Sequence, residues 1–266
     1  MINVIVAGAA GRMGSRLVAL IKESTALTLA GAIEGKAHQA GGQDAGEAAG
    51  VGKIGIAITH DLTALLEQGE VVIDFSAPEA TLDHLRAVAT RRRAMVIGTT
   101  GFNAAQFEEL TSLARQVPCV FSPNMSVGVN VMYKVIREMA RALGDDYDIE
   151  VIEAHHRLKK DAPSGTALKM AEVLAQAVNR DLKEVGVFAR KGLIGERNKQ
   201  EIGIQAVRAG DIVGDHTILF GGMGERIEVT HRATSRDTFA RGALRAAHWI
   251  VKQPPGLYDM MDVLGL

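Results

Sequence analysis

Residues 2–22 read INVIVAGAAGRMGSRLVALIK. Ile2–Ala7 is a short, largely β-branched apolar run, Ser15–Lys22 carries apolar residues at helical spacing, and glycines stand between them at 8, 11 and 14. Glycines alone are a weak signal. Between a strand and a helix they form a backbone cradle at a helix N-terminus, where N–H groups and the positive end of the helix dipole hold a pyrophosphate. The spacing is GxxGxxG rather than the commoner GxGxxG, and the small Ala10 still permits close backbone approach. A second apolar run, Leu27–Ile33, ends in Glu34. That is about 20 residues beyond Gly14, where a dinucleotide fold places the acid that accepts hydrogen bonds from the adenosine ribose.

Strand-like runs follow at Val71–Phe75, Ala94–Gly98 and Cys119–Phe121, separated by helical patterns at Pro78–Thr90 and Asn103–Arg115. This repeated strand and helix punctuation predicts an α/β fold with a Rossmann-like doubly wound parallel sheet, ligand loops lying at the strand C-termini. The loops Asp74-Phe-Ser76, Gly98-Thr-Thr-Gly101 and Ser122-Pro-Asn-Met125 are small or polar, suited to a nicotinamide ribose and ring. Past Ser126 the pattern changes. A long helix is expected at Val127–Leu143, a strand around Ile149 and Val151, a helix at Gly165–Val178, then strand-like runs at Val185–Arg190, Ile202–Arg208, Asp215–Phe220 and Arg226–His231. Consecutive strands predict a second, α+β domain with a mixed or antiparallel sheet. The expected division is a dinucleotide-binding domain over 1–126, a second domain over 127–236, and a return of 237–266, led by a helix at Asp237–Lys252, onto the first. Lys191–Gln200 reads as an exposed loop.

With 266 residues, 47% of them hydrophobic, the chain has ample material for packed cores. A formal net charge of −1 gives no electrostatic reason to expect nucleic acid or an anionic membrane as partner. The triplet Arg91–Arg93 closes a predicted helix, where cations suit the dipole. Cys119, the single cysteine, excludes an internal disulfide and a thiolate metal cluster within one chain, and no metal site is expected. Its apolar surroundings, Val117–Phe121, mark it as a small core residue. Met1 leads almost directly into a strand, and no later segment approaches a membrane-spanning length, so a cytoplasmic protein is expected.

The chemistry concentrates in residues 150–167, EVIEAHHRLKKDAPSGTA. Five of the six side chains from His155 to Lys160 are cationic or can become so, and Asp161 alone follows to offset them. Ser164 is a good N-cap for the following helix, whose first N–H groups at Gly165 and Thr166 favour a carboxylate or phosphate. Lys159 can hold a second anionic group as a point charge. His155 or His156, titrating near neutral pH, is the candidate proton donor. The pattern predicts a small ligand with two acidic groups, or one acid and a developing negative charge.

These residues resemble the bacterial 4-hydroxy-tetrahydrodipicolinate reductases, the dihydrodipicolinate reductase family of lysine and diaminopimelate biosynthesis, over essentially the whole chain. The most specific part is Glu150, Glu153, His155, Lys159, Asp161 and Pro163-Ser-Gly-Thr-Ala167, supported by GAAGRMG at Gly8, IGTTGF at Ile97, SVGVNVM at Ser126 and RAGDIVGDHT at Arg208. The resemblance implies a reduced nicotinamide dinucleotide as cofactor, a cyclic dicarboxylate as hydride acceptor, and tetrahydrodipicolinate as product. It implies His155 as proton donor, Lys159 as its partner in protonation and substrate positioning, and His156, Gly165 and Thr166 as receivers of substrate carboxylates. Cofactor contacts are implied for Gly8, Ala9, Ala10, Gly11, Arg12, Met13, Glu34, Gly98, Thr99, Thr100, Ser122, Pro123, Asn124 and Met125. A homotetramer held through the second domain's sheet is implied as well. Many members carry an arginine after the ribose-reading acid, able to clasp the NADPH 2′-phosphate; here Gly35 and Lys36 follow Glu34. NADH is therefore the expected preference, with some use of NADPH. The rival readings are another reductase of an acidic imine or keto acid, a non-catalytic dinucleotide sensor, and a hydrolase on Ser164 and His155. The hydrolase lacks a GxSxG elbow and any acid evidently placed to orient the histidine.

Overall fold

In the computed structural model, which describes residues 1–266, Ile2–Ala7 forms β1, with Val4–Ala7 wholly buried. The glycine turn leads into α1 (Gly14–Lys22), and β2 (Leu27–Ile33) pairs with β1 in parallel. A one-turn helix α2 (Ala45–Ala48), capped by Asp44, precedes the two-residue strand β3 (Ile58–Thr59). Then come β4 (Val71–Asp74), α3 (Pro78–Arg91), β5 (Ala94–Ile97), α4 (Ala104–Ala114) and β6 (Pro118–Phe121). Several boundaries have a local cause. Pro78 opens α3 with its preset φ, Arg92 closes it in the left-handed region, and Asn103 with Gln106 makes a capping box for α4. The strands β4 and β5 are buried at every position, as parallel strands covered on both faces must be.

The helix α5 (Val127–Leu143) begins the second set of elements: β7 (Asp148–His155), α6 (Gly165–Ala177), a one-turn α7 (Leu182–Val185), and β8 (Gly186–Val187). It continues with β9 (Ile202–Arg208), β10 (Gly214–Gly221) and β11 (Arg226–Ala233). The chain finishes with α8 (Asp237–Ile250), β12 (Gly256–Tyr258) and α9 (Met260–Leu264).

Two compact units result: Met1–Val127 with Arg236–Leu266, and Gly128–Ser235. The first holds a seven-stranded, all-parallel sheet in the order β12-β6-β5-β4-β1-β2-β3. Strand order reverses between β1 and β4, so the glycine turn after β1 lies at the topological switch point, where doubly wound sheets bind ligands. Cys119, on β6, is fully buried, and burial pushes its thiol up to about 12, the behaviour of an inert core residue. The second unit holds a five-stranded mixed sheet, order β11-β10-β7-β9-β8, in which β7, β9 and β8 are parallel and the other pairings antiparallel. Ile149, Val151, Ile202, Ile204, Ile218 and Phe220 share one face of it, buried in a cluster with α5 and α6.

The predicted strand at Val185–Arg190 needs correction. Only Gly186 and Val187 pair with β9, because Asp181 caps a helical turn that takes up Leu182–Val185. Arg190 turns aside to pair with Glu150 and Glu201. The strands β3 and β12 were not expected; both are too short to show a period.

Candidate active site

Strand alternation places Glu153 and His155 on the same face of β7, continuing the row of Ile149 and Val151. Glu153 is fully buried and His155 is 8% exposed. The Nδ1 atom of His155 donates to Glu153 Oε2 at 2.6 Å, so an acid does orient the histidine, contrary to the expectation from sequence. Arg208, at the end of β9, grips both oxygens of Glu153 at 2.8 and 2.7 Å. The Ser164 backbone N–H donates to Oε1 at 3.0 Å, and the Ser164 hydroxyl caps α6 by accepting from Ala167 N–H. The end of β7 and the N-terminus of α6 are thus tied to one carboxylate.

Around that pair, Lys159 Nζ lies 2.9 Å from Asp161, and the Arg208 guanidinium also donates to the Asp161 carbonyl. Gly165 is exposed with open space before it, whereas the Thr166 side chain bonds to that of Tyr133 on α5. The buried Nδ1 of His156 has no partner within the chain. His216 on β10 packs edge-on against His155, centroids 5.2 Å apart, and its Nε2 lies 3.3 Å from the Ser164 hydroxyl. Ser164 therefore pairs with His216 rather than His155, and His216 Nδ1 has no partner, so no acid orients it. A Ser164 hydrolase has no triad.

Burial is the largest influence on His155 and lowers its pKa; the bond and charge of Glu153 oppose this, while Lys159 and Arg208 add to it. Burial pushes the Glu153 carboxyl up, but bonds from Arg208, His155 and Ser164 outweigh it, and the group stays ionised below its ordinary range. The chemistry available is proton donation from an imidazole beside fixed cations and an exposed helix N-terminus.

In the first unit the glycine turn passes a steric test for a dinucleotide. A Cβ on Gly14 would lie 2.0 Å from the Gly8 carbonyl oxygen, and Gly8 itself adopts φ +74° with Phe75 backbone alongside. The tight first glycine and the close-packed third one, which such a cradle requires, are both present. Met13 precedes α1 without a side-chain cap, as an anion-receiving helix N-terminus requires. Ala9 is buried, Ala10 and Gly11 half-buried, and Arg12 exposed. Glu34, half-buried at the end of β2, shares a cavity of ≈ 340 Å³ with Gly8, Gly35, Lys36, His60 and His84. Gly98 and the buried Thr99 follow β5, and Thr100 is exposed. In the loop after β6, Ser122 donates to the Asn124 carbonyl, Pro123 is exposed, and the Met125 carbonyl lies where a Cβ on Gly242 of α8 would stand.

The family model described as "Dihydrodipicolinate reductase, N-terminus" matches residues 2–125, and "Dihydrodipicolinate reductase, C-terminus" matches 128–264. The chain belongs to the dihydrodipicolinate reductase family. Two relatives named 4-hydroxy-tetrahydrodipicolinate reductase, from Syntrophus aciditrophicus and Syntrophobacter fumaroxidans, are each 57% identical over 265 and 266 residues. All of this chain and 99% and 100% of theirs are covered. A solved dipicolinate-bound dihydrodipicolinate reductase from Paenisporosarcina sp. TG-14 shares the fold, with TM-score 0.73 at 24% identity over 98% of each chain.

Several residues of this dihydrodipicolinate reductase family member escaped the sequence reading. Arg208 and His216 lie inside the RAGDIVGDHT stretch, but only strand register brings Arg208 opposite His155 and His216 opposite Glu153. In the cofactor half, buried Asp74 accepts from Ser76, from His84 at 2.7 Å and from Thr99, organising two loops. A buried carboxylate ending a parallel strand was the available signal.

Burial pushes His216 down to about 4 and lowers His155 and His231 too. A histidine whose pKa is lowered by folding takes up its proton more readily in the unfolded chain, so the stability is present above about pH 6.5 and is lost as pH falls. For His216 the loss between pH 7 and 5 is about 2 kcal/mol. Denaturant titrations at the two pH values are expected to show it, and His216→Gln to flatten the dependence; an equal slope in the variant would contradict this account.

Proposed function

We propose that this protein is a 4-hydroxy-tetrahydrodipicolinate reductase of lysine and diaminopimelate biosynthesis, with His155 as its proton donor. Replacing a ring hydroxyl by hydrogen consumes a hydride and a proton and releases water. A reduced nicotinamide dinucleotide, when bound, supplies the hydride. His155 holds the proton at Nε2, the ring atom its bond to Glu153 leaves free. Lys159, His156, Thr166 and the N–H of Gly165 receive the substrate's carboxylates, and the cations stabilise negative charge as it builds in the ring. After transfer the neutral imidazole regains a proton from solvent.

The observation that carries this reading is the convergence of an oriented imidazole, fixed cations and an open helix N-terminus on Glu153, in a chain matched by both family models. A proton is thereby offered beside an anion receptor. Purified protein given freshly made dihydrodipicolinate synthase product is expected to consume NADH. Absence of turnover with either cofactor would sink the assignment.

For the cofactor, the glycine turn from Gly8 to Met13, Glu34, Gly98–Thr100 and Ser122–Met125 are the proposed contacts. Glu34 repels a 2′-phosphate, and Lys36, lining the same cavity, offsets this in part. The kcat/KM for NADH is expected to exceed that for NADPH by several-fold, measured side by side; a strong NADPH preference would refute the role given to Gly35.

The proposed assembly is a homotetramer joined through the second unit's sheet. Support comes from the sheet face opposite α5 and α6, where Ile152 and Val207 are 37% and 47% exposed. Light scattering is expected to return four times the 28.3 kDa chain mass; a monomer would contradict it.

A further inference from the structure

We propose that Glu153, gripped by Arg208, is the positioning residue of this site: it fixes the tautomer of His155 and couples that imidazole to the anion-receiving end of α6. The proposal deepens the reductase reading and rests on it.

The reason begins with burial. A fully buried carboxylate on the apolar face of β7 is costly, and a buried ion pair is often no better for stability than packed apolar side chains of the same volume. Fold stability alone therefore gives no reason for a glutamate here. Its bonding does. Oε2 accepts from His155 Nδ1 and Arg208 Nη1, and Oε1 accepts from Ser164 N–H and Arg208 Nη2. Arg208 extends the tie through Nη2 to the Asp161 carbonyl at 2.7 Å, and Asp161 pairs with Lys159. One carboxylate thus holds the proton donor, the first turn of α6 and, at one remove, the lysine loop.

The tautomer follows from the geometry. An ionised acceptor at 2.6 Å requires the proton on Nδ1, so Nε2 is the nitrogen that accepts and delivers. Gly214 keeps that nitrogen clear, because a Cβ there would stand 3.0 Å from it.

Charge adds a sign that a purely structural role lacks. The groups facing His155 are Glu153 on its own strand, Lys159 on the following loop with Asp161 paired to it, Arg208 from β9, and His216 from β10, with His231 of β11 beyond. Among the influences on His155, Glu153 favours the imidazolium, whereas burial, Lys159 and Arg208 disfavour it. Removing the negative charge makes His155 a stronger acid, and removing Arg208 makes it a weaker one.

The test uses two variants in the full-length enzyme. Glu153→Gln is expected to lower kcat by roughly 10- to 10³-fold with the KM for NADH unchanged. The basic limb of its kcat/KM profile moves to lower pH. Arg208→Gln is expected to move that limb the other way, which general damage to the site would not do. The readout that needs no substrate is ¹⁵N NMR of His155: wild type carries its neutral proton on Nδ1, and Glu153→Gln mixes the tautomers. If Glu153→Gln fails to fold, the opposite-signed shift in Arg208→Gln still decides. Unmoved limbs, or an unchanged tautomer in Glu153→Gln, would overturn the proposal. Failure of the wild type to reduce the substrate would instead overturn the functional reading and leave the tautomer experiment standing.

Discussion

Replacing His155 by Gln lowers kcat by roughly 10²- to 10⁴-fold, the usual contribution of a positioned general acid, and leaves NADH affinity unchanged. The glutamine preserves side-chain bulk and can still bond to Glu153, so the loss isolates the titrating nitrogen. Cofactor affinity is expected to be spared because the proposed cofactor contacts, the glycine turn and Glu34, belong to the other compact unit. In the proposed mechanism the proton sits on a histidine that burial has made reluctant to hold one. In wild type, kcat/KM is therefore expected to fall as pH rises past the lowered pKa, and the proposed dianionic substrate would favour the imidazolium on arrival. Steady-state kinetics and a fluorescence titration with NADH separate the two effects. A near-wild-type kcat would exclude His155 as the acid.

The second large effect is expected at Gly14. A Cβ there would lie 2.0 Å from the Gly8 oxygen, 2.6 Å from the Ala9 Cα and 2.7 Å from the Gly8 carbonyl carbon. All three are backbone atoms, so no side chain can swing aside, and the turn itself must open. Overpacking of this kind costs about 2–3 kcal/mol. Carried by the loop proposed to bind the cofactor, that corresponds to roughly 30- to 150-fold weaker NADH binding in Gly14→Ala. The contrast is Gly35→Ala, whose Cβ meets nothing within 4 Å and should leave affinity for NADH close to wild type. Unchanged NADH affinity in Gly14→Ala would show that the turn does not hold the pyrophosphate.

Much of the first unit was legible because buried parallel strands are written as continuous apolar runs: Val71–Asp74 and Ala94–Ile97 stand out without any partner. Helix α6 was equally plain, since Ser164 caps it through a local bond. What escaped depended on distance along the chain. The strand β12 has three residues and exists through pairing with β6, more than a hundred residues earlier. Arg208 meets Glu153 across 55 residues, and His216 meets Ser164 across 52. No local pattern records such register. Glu153 itself was visible as a signature residue, but its role waited for the alternation of β7 to be joined to β9, α6 and β10.

The most direct measurement follows the hydride. NADH deuterated at the transferable position, incubated with the protein and fresh dihydrodipicolinate synthase product, is expected to yield tetrahydrodipicolinate carrying the label by mass spectrometry, with matching loss of NADH absorbance. Unlabelled product, or no consumption of cofactor, would contradict the account.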